Sequence, residues 1–246
     1  MNDSIPIVEV KNLYKSYNNK NVLQNISFEV YRGEIFVLLG PNGAGKTTTV
    51  KIVAGVIQAD SGDVFVMSEK ISVFKPDIKK HIGYLPDEPY IYNKLTGKEF
   101  LEFIFSVYNV KINHQEYEFL LNEFELNYYI NSPIETYSKG MKQKLLLMSI
   151  FLRKPDLFIL DEPLIGLDPK SINFFKQYIK KLSKEGKTII LCTHLLDLAQ
   201  QVATKIAIIY NGTILIAATL EDLAKNFCVS SLSLEEIYLT AIQKNS

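Results

Sequence analysis

The sequence predicts an α/β fold, a sheet with parallel central strands into which a helical lobe is inserted. Three observations carry this. Short apolar runs bounded by turn residues alternate with stretches of helical periodicity, as strands alternate with crossover helices. One run, 35–39, passes at once into the string GPNGAGKT at 40–47, a sharp strand-to-helix turn. Between Asp87 and Ser138 the patterning is helical and no strand-like run occurs.

At 246 residues the chain has the size of one large domain, expected over 5–225, with the inserted lobe at about 88–152 and a C-terminal tail at 226–246. Lys plus Arg and Asp plus Glu number 27 each, so there is no basic excess and no nucleic-acid partner is expected. Cys192 and Cys228 stand far apart, without CxxC spacing or histidines at ligand intervals, and are expected as buried free thiols in a reducing compartment. No apolar run reaches the roughly eighteen residues of a membrane span, and MNDSIPIVEV does not resemble a secretion signal. The expectation is a cytosolic chain that does not itself cross a membrane.

The candidate strands are 26–30, 35–39, 64–67, 82–85, 157–160, 188–192 and 206–210. The last is joined to 213–217 through Asn211-Gly212, a pair suited to the hairpin turn that matches strand twist. Helices are expected from Thr47 to about Val56, over 98–108, 115–124 and 138–151, and over 170–183, where Ile172, Phe175, Ile179 and Leu182 share one face. A short amphipathic piece, 234–242, is expected to pack against the body. The tract 100–108, with Phe103, Ile104, Phe105 and Val107, reads as core, with a docking face as the alternative. His81 and His114 read as surface residues, and Lys142 and Lys144 as a solvated helix face.

The chemistry concentrates in three places. In the loop, Gly40, Gly43 and Gly45 open backbone angles closed to other residues, so that successive N–H groups can face a polyphosphate. Lys46 brings a cation to the outer phosphates, the Thr47 hydroxyl can hold magnesium, and the following helix points its positive end at the same anion. An ordinary glycine turn is the alternative. The second place is LFILDE at 157–162, a buried strand ending in two carboxylates at the edge of the sheet where ligands bind. Asp161 is suited to magnesium and Glu162 to orienting or deprotonating an attacking water. The third is Ser138, a good N-cap, which with the Gly140 amide and the helix dipole makes a second anion site.

Together these residues resemble the ATPase subunits of ATP-binding cassette transporters, over almost everything from Ile7 to Ala217. Gly40, Pro41, Asn42, Gly43, Ala44, Gly45, Lys46, Thr47 and Thr48 match the Walker A motif, and 158–162 match Walker B. YSKGMKQK at 137–144 occupies the place of the LSGGQ signature, with Ser138 and Gly140 on its serine and second glycine. Gly166, Leu167 and Asp168 resemble the D-loop, and His194 the switch histidine that meets the γ-phosphate. Tyr17 stands where the family stacks an aromatic on adenine; a plain strand aromatic is the alternative.

The resemblance implies the mixed-sheet P-loop NTPase (RecA-like) core with its helical lobe, ATP and Mg2+ as cofactors, and magnesium contacts from Thr47, Asp87 and Asp161. It also implies two partners. One is a second ATP-binding subunit, identical or different, paired head to tail so that each ATP lies between one Walker A loop and the other signature. The other is a membrane permease, with the chain peripheral on the inner face of the cell membrane. The stretch 84–103 is similar to the branch that works in export. Two departures stand out: Asp87 replaces the usual glutamine, and Lys139 and Met141 replace the usual Gly and Gln of the signature. The rival readings are a soluble non-transport cassette ATPase and an ATP sensor that does not hydrolyse. Intact Glu162 and His194 speak against the sensor.

Overall fold

The computed structural model describes residues 5–74, 76–88, 90–220, 222–223 and 234–243. In its first half are β1 (Val8–Tyr17), β2 (Lys20–Val30), β3 (Ile35–Leu39), α1 (Lys46–Val53), β4 (Ser61–Val66), β5 (Glu69–Lys70), α2 (Pro76–Lys79) and β6 (Ile82–Leu85). The lobe contributes α3 (Gly97–Tyr108) and α4 (His114–Glu123) before α5 (Lys139–Arg153) returns to the sheet. Then come β7 (Leu157–Asp161), α6 (Pro169–Lys184), β8 (Thr188–Thr193), α7 (Leu196–Val202), β9 (Lys205–Tyr210), β10 (Thr213–Thr219) and α8 (Leu234–Gln243).

The larger sheet has the order β10-β9-β3-β8-β7-β6, parallel throughout except for β10. Every residue of β3, β7 and β8 is buried. Alternate side chains enter two different cores: Val37, Phe158 and Leu191 meet the helices, while Phe36, Ile159 and Ile190 meet a second sheet and α1. A sheet covered on both faces needs apolar residues at every position, which is why these strands stand out as continuous apolar runs.

The second sheet, β2-β1-β4-β5, is antiparallel. The sequence predicts no strand over β1, and β2 begins before the expected 26–30. Irregular register and left-handed backbone at Asn12 (φ 47) and Asn25 (φ 57) break the two-residue alternation that would reveal such strands. Helix α1 stops at Val53 rather than near Val56, because Gly55 turns the chain at φ 66. The seven residues of α7 are too few for a helical periodicity to show in the sequence.

In the lobe, α3 opens with a capping box in which the Thr96 hydroxyl accepts from Glu99 N and Glu99 accepts from Thr96 N. The apolar tract there has two faces: Phe100, Leu101 and Phe105 are buried, whereas Phe103 and Val107 are exposed. Helix α8 buries Leu234, Ile237 and Ala241 in the core on the helical side, as expected for the tail. Residues 224–233 and 244–246, including Cys228, lie outside the described residues. Cys192 is a buried free thiol.

Candidate functional site

The loop between β3 and α1 has the conformation its glycines permit. Gly43 (φ 80) and Gly45 (φ 108) occupy backbone angles that side chains disfavour, and a Cβ on Gly40 would collide with the carbonyl of Ile209. Lys46 is 6% exposed and curls back over the loop, donating to Gly40 O at 2.8 Å and Pro41 O at 3.1 Å. Ala44 N donates to Pro41 O at 3.2 Å and closes the turn. Asn42, Gly43, Gly45, Lys46, Thr47 and Thr48 line a cavity together with Val22, Asp87 and Glu162. Asp87 is therefore brought to the loop, as expected from its place after β6.

The end of β7 supplies the carboxylates. Asp161 is fully buried, and neither of its oxygens has a hydrogen-bond partner among the described residues. Burial pushes its pKa up to about 6, and the Asp87 and Glu162 charges add to the rise; the Thr47 hydroxyl lies close enough to oppose it, as does Lys46. A buried carboxylate with unsatisfied oxygens beside a hydroxyl and a second carboxylate is a hard-oxygen donor set suited to magnesium. Thr47, Asp87 and Asp161 are the residues that would hold the ion.

Glu162 is held from several sides. Its Oε1 is 2.8 Å from His194 Nδ1 and 3.8 Å from Lys46 Nζ, and its Oε2 accepts from Thr193 Oγ1 at 3.3 Å. Its backbone takes φ 46, a strained angle for glutamate, and its N–H donates to Cys192 O at 3.0 Å. Strain of this kind persists where the surroundings over-determine a side chain's position. Here they aim Glu162 at the loop cavity.

Ser138 caps α5, its hydroxyl accepting from Met141 N at 3.2 Å. Neither Ser138 nor Gly140 lines the loop cavity. Instead this region is stitched to the segment after Glu162: a Cβ on Gly140 would collide with the Gly166 carbonyl, and Gln143 Nε2 donates to Pro163 O at 3.0 Å. Lys144, expected as a solvated residue, is buried and pairs with Asp168 at 2.6 Å. Lys142 reaches Asn93 Oδ1 at 3.0 Å. These pairings were invisible to a reading of local charge, because both partners come from distant segments.

Tyr17 ends β1 half-exposed, with Lys15 Nζ 5.3 Å from its ring centre; the side chain from this hairpin that lines the loop cavity is Val22. His81 and His114 are exposed, as expected, and His81 Nδ1 lies 2.9 Å from Asp156.

A family model described as ABC transporter matches residues 23–165, a span that holds the phosphate loop, the signature and both carboxylates. The chain belongs to the ABC transporter family. This cassette is 31% identical over 242 residues to the ABC-type transporter ATP-binding protein EcsA of Bacillus subtilis (strain 168), covering 98% of each chain. It is 32% identical to the linearmycin resistance ATP-binding protein LnrL of the same organism, covering 96% of this chain and 79% of that one. A solved structure titled "Structure of ATP binding subunit of ABC transporter" superposes on the cassette with a TM-score of 0.88 at 34% identity, over 96% of this chain and 99% of that one. The P-loop NTPase core with its helical lobe is thus the fold of this cassette, and ATP is its nucleotide. Among the described residues no helix is long and apolar enough to cross a membrane.

Proposed function

We propose that this cassette hydrolyses ATP with magnesium and drives a separate membrane permease, in the direction of export, from the cytoplasmic face of the membrane. The observation that carries the hydrolytic part is the clamped Glu162, whose carboxylate meets His194, Thr193 and Lys46 at the edge of the phosphate-loop cavity. In this reading Glu162 accepts the proton of the water that attacks the γ-phosphate, and His194 keeps the carboxylate aimed. Lys46 leaves its loop carbonyls for the phosphates, and the loop amides take up the remaining charge. Thr47, Asp87 and Asp161 would hold magnesium, which would neutralise phosphate charge when bound.

Ser138 and Gly140 lie off the cavity, so a second cassette docked head to tail would present its signature to this chain's nucleotide. Tyr17 is proposed as the adenine platform. Export is supported by the resemblance of residues 84–103 and by the likeness to LnrL, a protein named for resistance. The test is phosphate release by the purified chain beside Glu162→Gln, which keeps the shape but cannot take the proton. The variant should bind ATP, slow turnover by about 10² to 10⁴ and accumulate ATP-loaded dimers on gel filtration. Parental turnover in the variant removes the base assignment, and failure of any membrane protein to co-purify from its own cell removes the permease.

A further inference from the structure

Beneath the phosphate loop, three residues share one face of three adjacent strands. Tyr84 on β6 stands opposite Ile159 on β7, and Asp161 on β7 stands opposite Cys192 on β8. Ile159 and Cys192 belong to the core on the side of the second sheet, and Tyr84 packs against that core. Side chains alternate along a strand, so Asp161, two residues after Ile159, faces the same side. Tyr84 is therefore the diagonal neighbour of Asp161 across this parallel pair, about 4.8 Å over and about 6.6 Å along the strand, within reach of an aromatic side chain.

At this spot the polar pairing is incomplete. The Tyr84 hydroxyl and both Asp161 oxygens are buried and form no hydrogen bond with the described residues. A buried hydroxyl without a partner costs about 1–3 kcal/mol, and a phenylalanine would fill the same space without that cost. The three unsatisfied atoms are chemically matched, since an ionised carboxylate only accepts and a tyrosine can donate. A tyrosine hydroxyl keeps its proton at neutral pH and so can donate. A single water needs two or more polar partners to be held in a protein interior, and this group provides them.

We propose that Tyr84 is a positioning residue of the magnesium site: its hydroxyl donates through one ordered water to the Asp161 carboxylate, occupying one oxygen and leaving the other for the cation. This rests on the reading of Asp161 as a magnesium ligand.

The test uses the full chain with Tyr84→Phe and Asp161→Asn, measured by melting temperature without nucleotide and by magnesium titration of the equilibrium binding of a fluorescent ATP analogue. Tyr84→Phe should remain folded and melt close to the parent temperature, because the bond it loses is to a water and not to another protein group. It should bind the analogue unchanged without magnesium, yet need about tenfold more magnesium for half-maximal effect. A purely structural tyrosine would instead lower the melting temperature and leave the magnesium midpoint in place, which overturns the proposal. An unchanged midpoint in Tyr84→Phe, with a shifted one in Asp161→Asn, overturns it while sparing the metal assignment. If Asp161→Asn keeps the parent's magnesium dependence, the assignment of Asp161 falls and the role of Tyr84 falls with it.

Discussion

Lys144 Nζ lies 2.6 Å from Oδ2 of Asp168, joining α5 to the N-cap of α6. Asp168 also accepts from Ser171 N and Ser171 Oγ, each at 2.9 Å. Burial acts to raise the Asp168 pKa, but the hydrogen bonds from Lys144 and Ser171 outweigh it and hold the carboxyl well below the usual carboxylate range. A folded pKa below the unfolded value of about 3.9 stabilises the fold above that pH and loses its contribution as pH falls through the folded value.

Asp168→Asn should therefore lower the melting temperature at pH 7 and much less in acid. Its side chain is 42% exposed, and solvent screening limits the effect to about 1 kcal/mol, or roughly 2–4 °C in a chain of this size. Melting curves of parent and variant from pH 7 down to pH 2 should keep a constant separation to about pH 4 and begin to converge only below it, as pH falls from the unfolded pKa toward the folded one. A constant difference across that range would show that charge at Asp168 contributes nothing.

Gly140→Ala should separate nucleotide binding from turnover. The added Cβ would strike the Gly166 carbonyl, so either the first turn of α5 or the 163–168 segment must shift. The loop that binds phosphate is untouched, and affinity for an ATP analogue should stay at the parent value. Turnover should fall roughly a hundredfold, the scale on which a displacement of about 1 Å near reacting groups is felt. Parental turnover would mean that the two segments move independently.

Lys46→Ala should abolish useful ATP binding. Its ammonium is buried and held by two loop carbonyls, beside the cavity to which the proposed function assigns the phosphates. Removing charge-assisted contacts of this kind should weaken affinity on the order of a hundredfold or more. Equilibrium binding of a fluorescent analogue checks it, with circular dichroism to confirm that the variant is folded.

His194→Ala should leave ATP binding intact and slow hydrolysis by roughly 10- to 100-fold. Glu162 would keep only the longer hydrogen bond from Thr193 on its other oxygen, and a less tightly aimed base transfers protons less efficiently. Single-turnover phosphate release reports this without interference from product release. An unaltered single-turnover rate would make His194 a bystander to the chemistry.

Much of this was legible in the sequence for a physical reason. The central strands β3, β7 and β8 are buried on both faces and therefore nearly continuously apolar, and the phosphate loop needs glycines at fixed places, so both leave a local signature, clearest at 35–47. Asp161 and Glu162 could be read because they close such a strand. The second sheet left little trace, since its left-handed asparagines and irregular register blur the alternation from which antiparallel strands are recognised.

What the sequence by itself determined is the order of chemical groups along the chain: loop, signature, carboxylates, histidine. Which of them meet was decided by the tertiary structure. His194 reaches Glu162, Lys144 is buried on Asp168 and Gly140 packs on Gly166, whereas Ser138 stays off the loop cavity. Such contacts depend on strand order and sheet register, which bring residues tens of positions apart to one face. No local pattern of size, charge or periodicity encodes that distance, because the free energy that sets it is spread over the whole packed core.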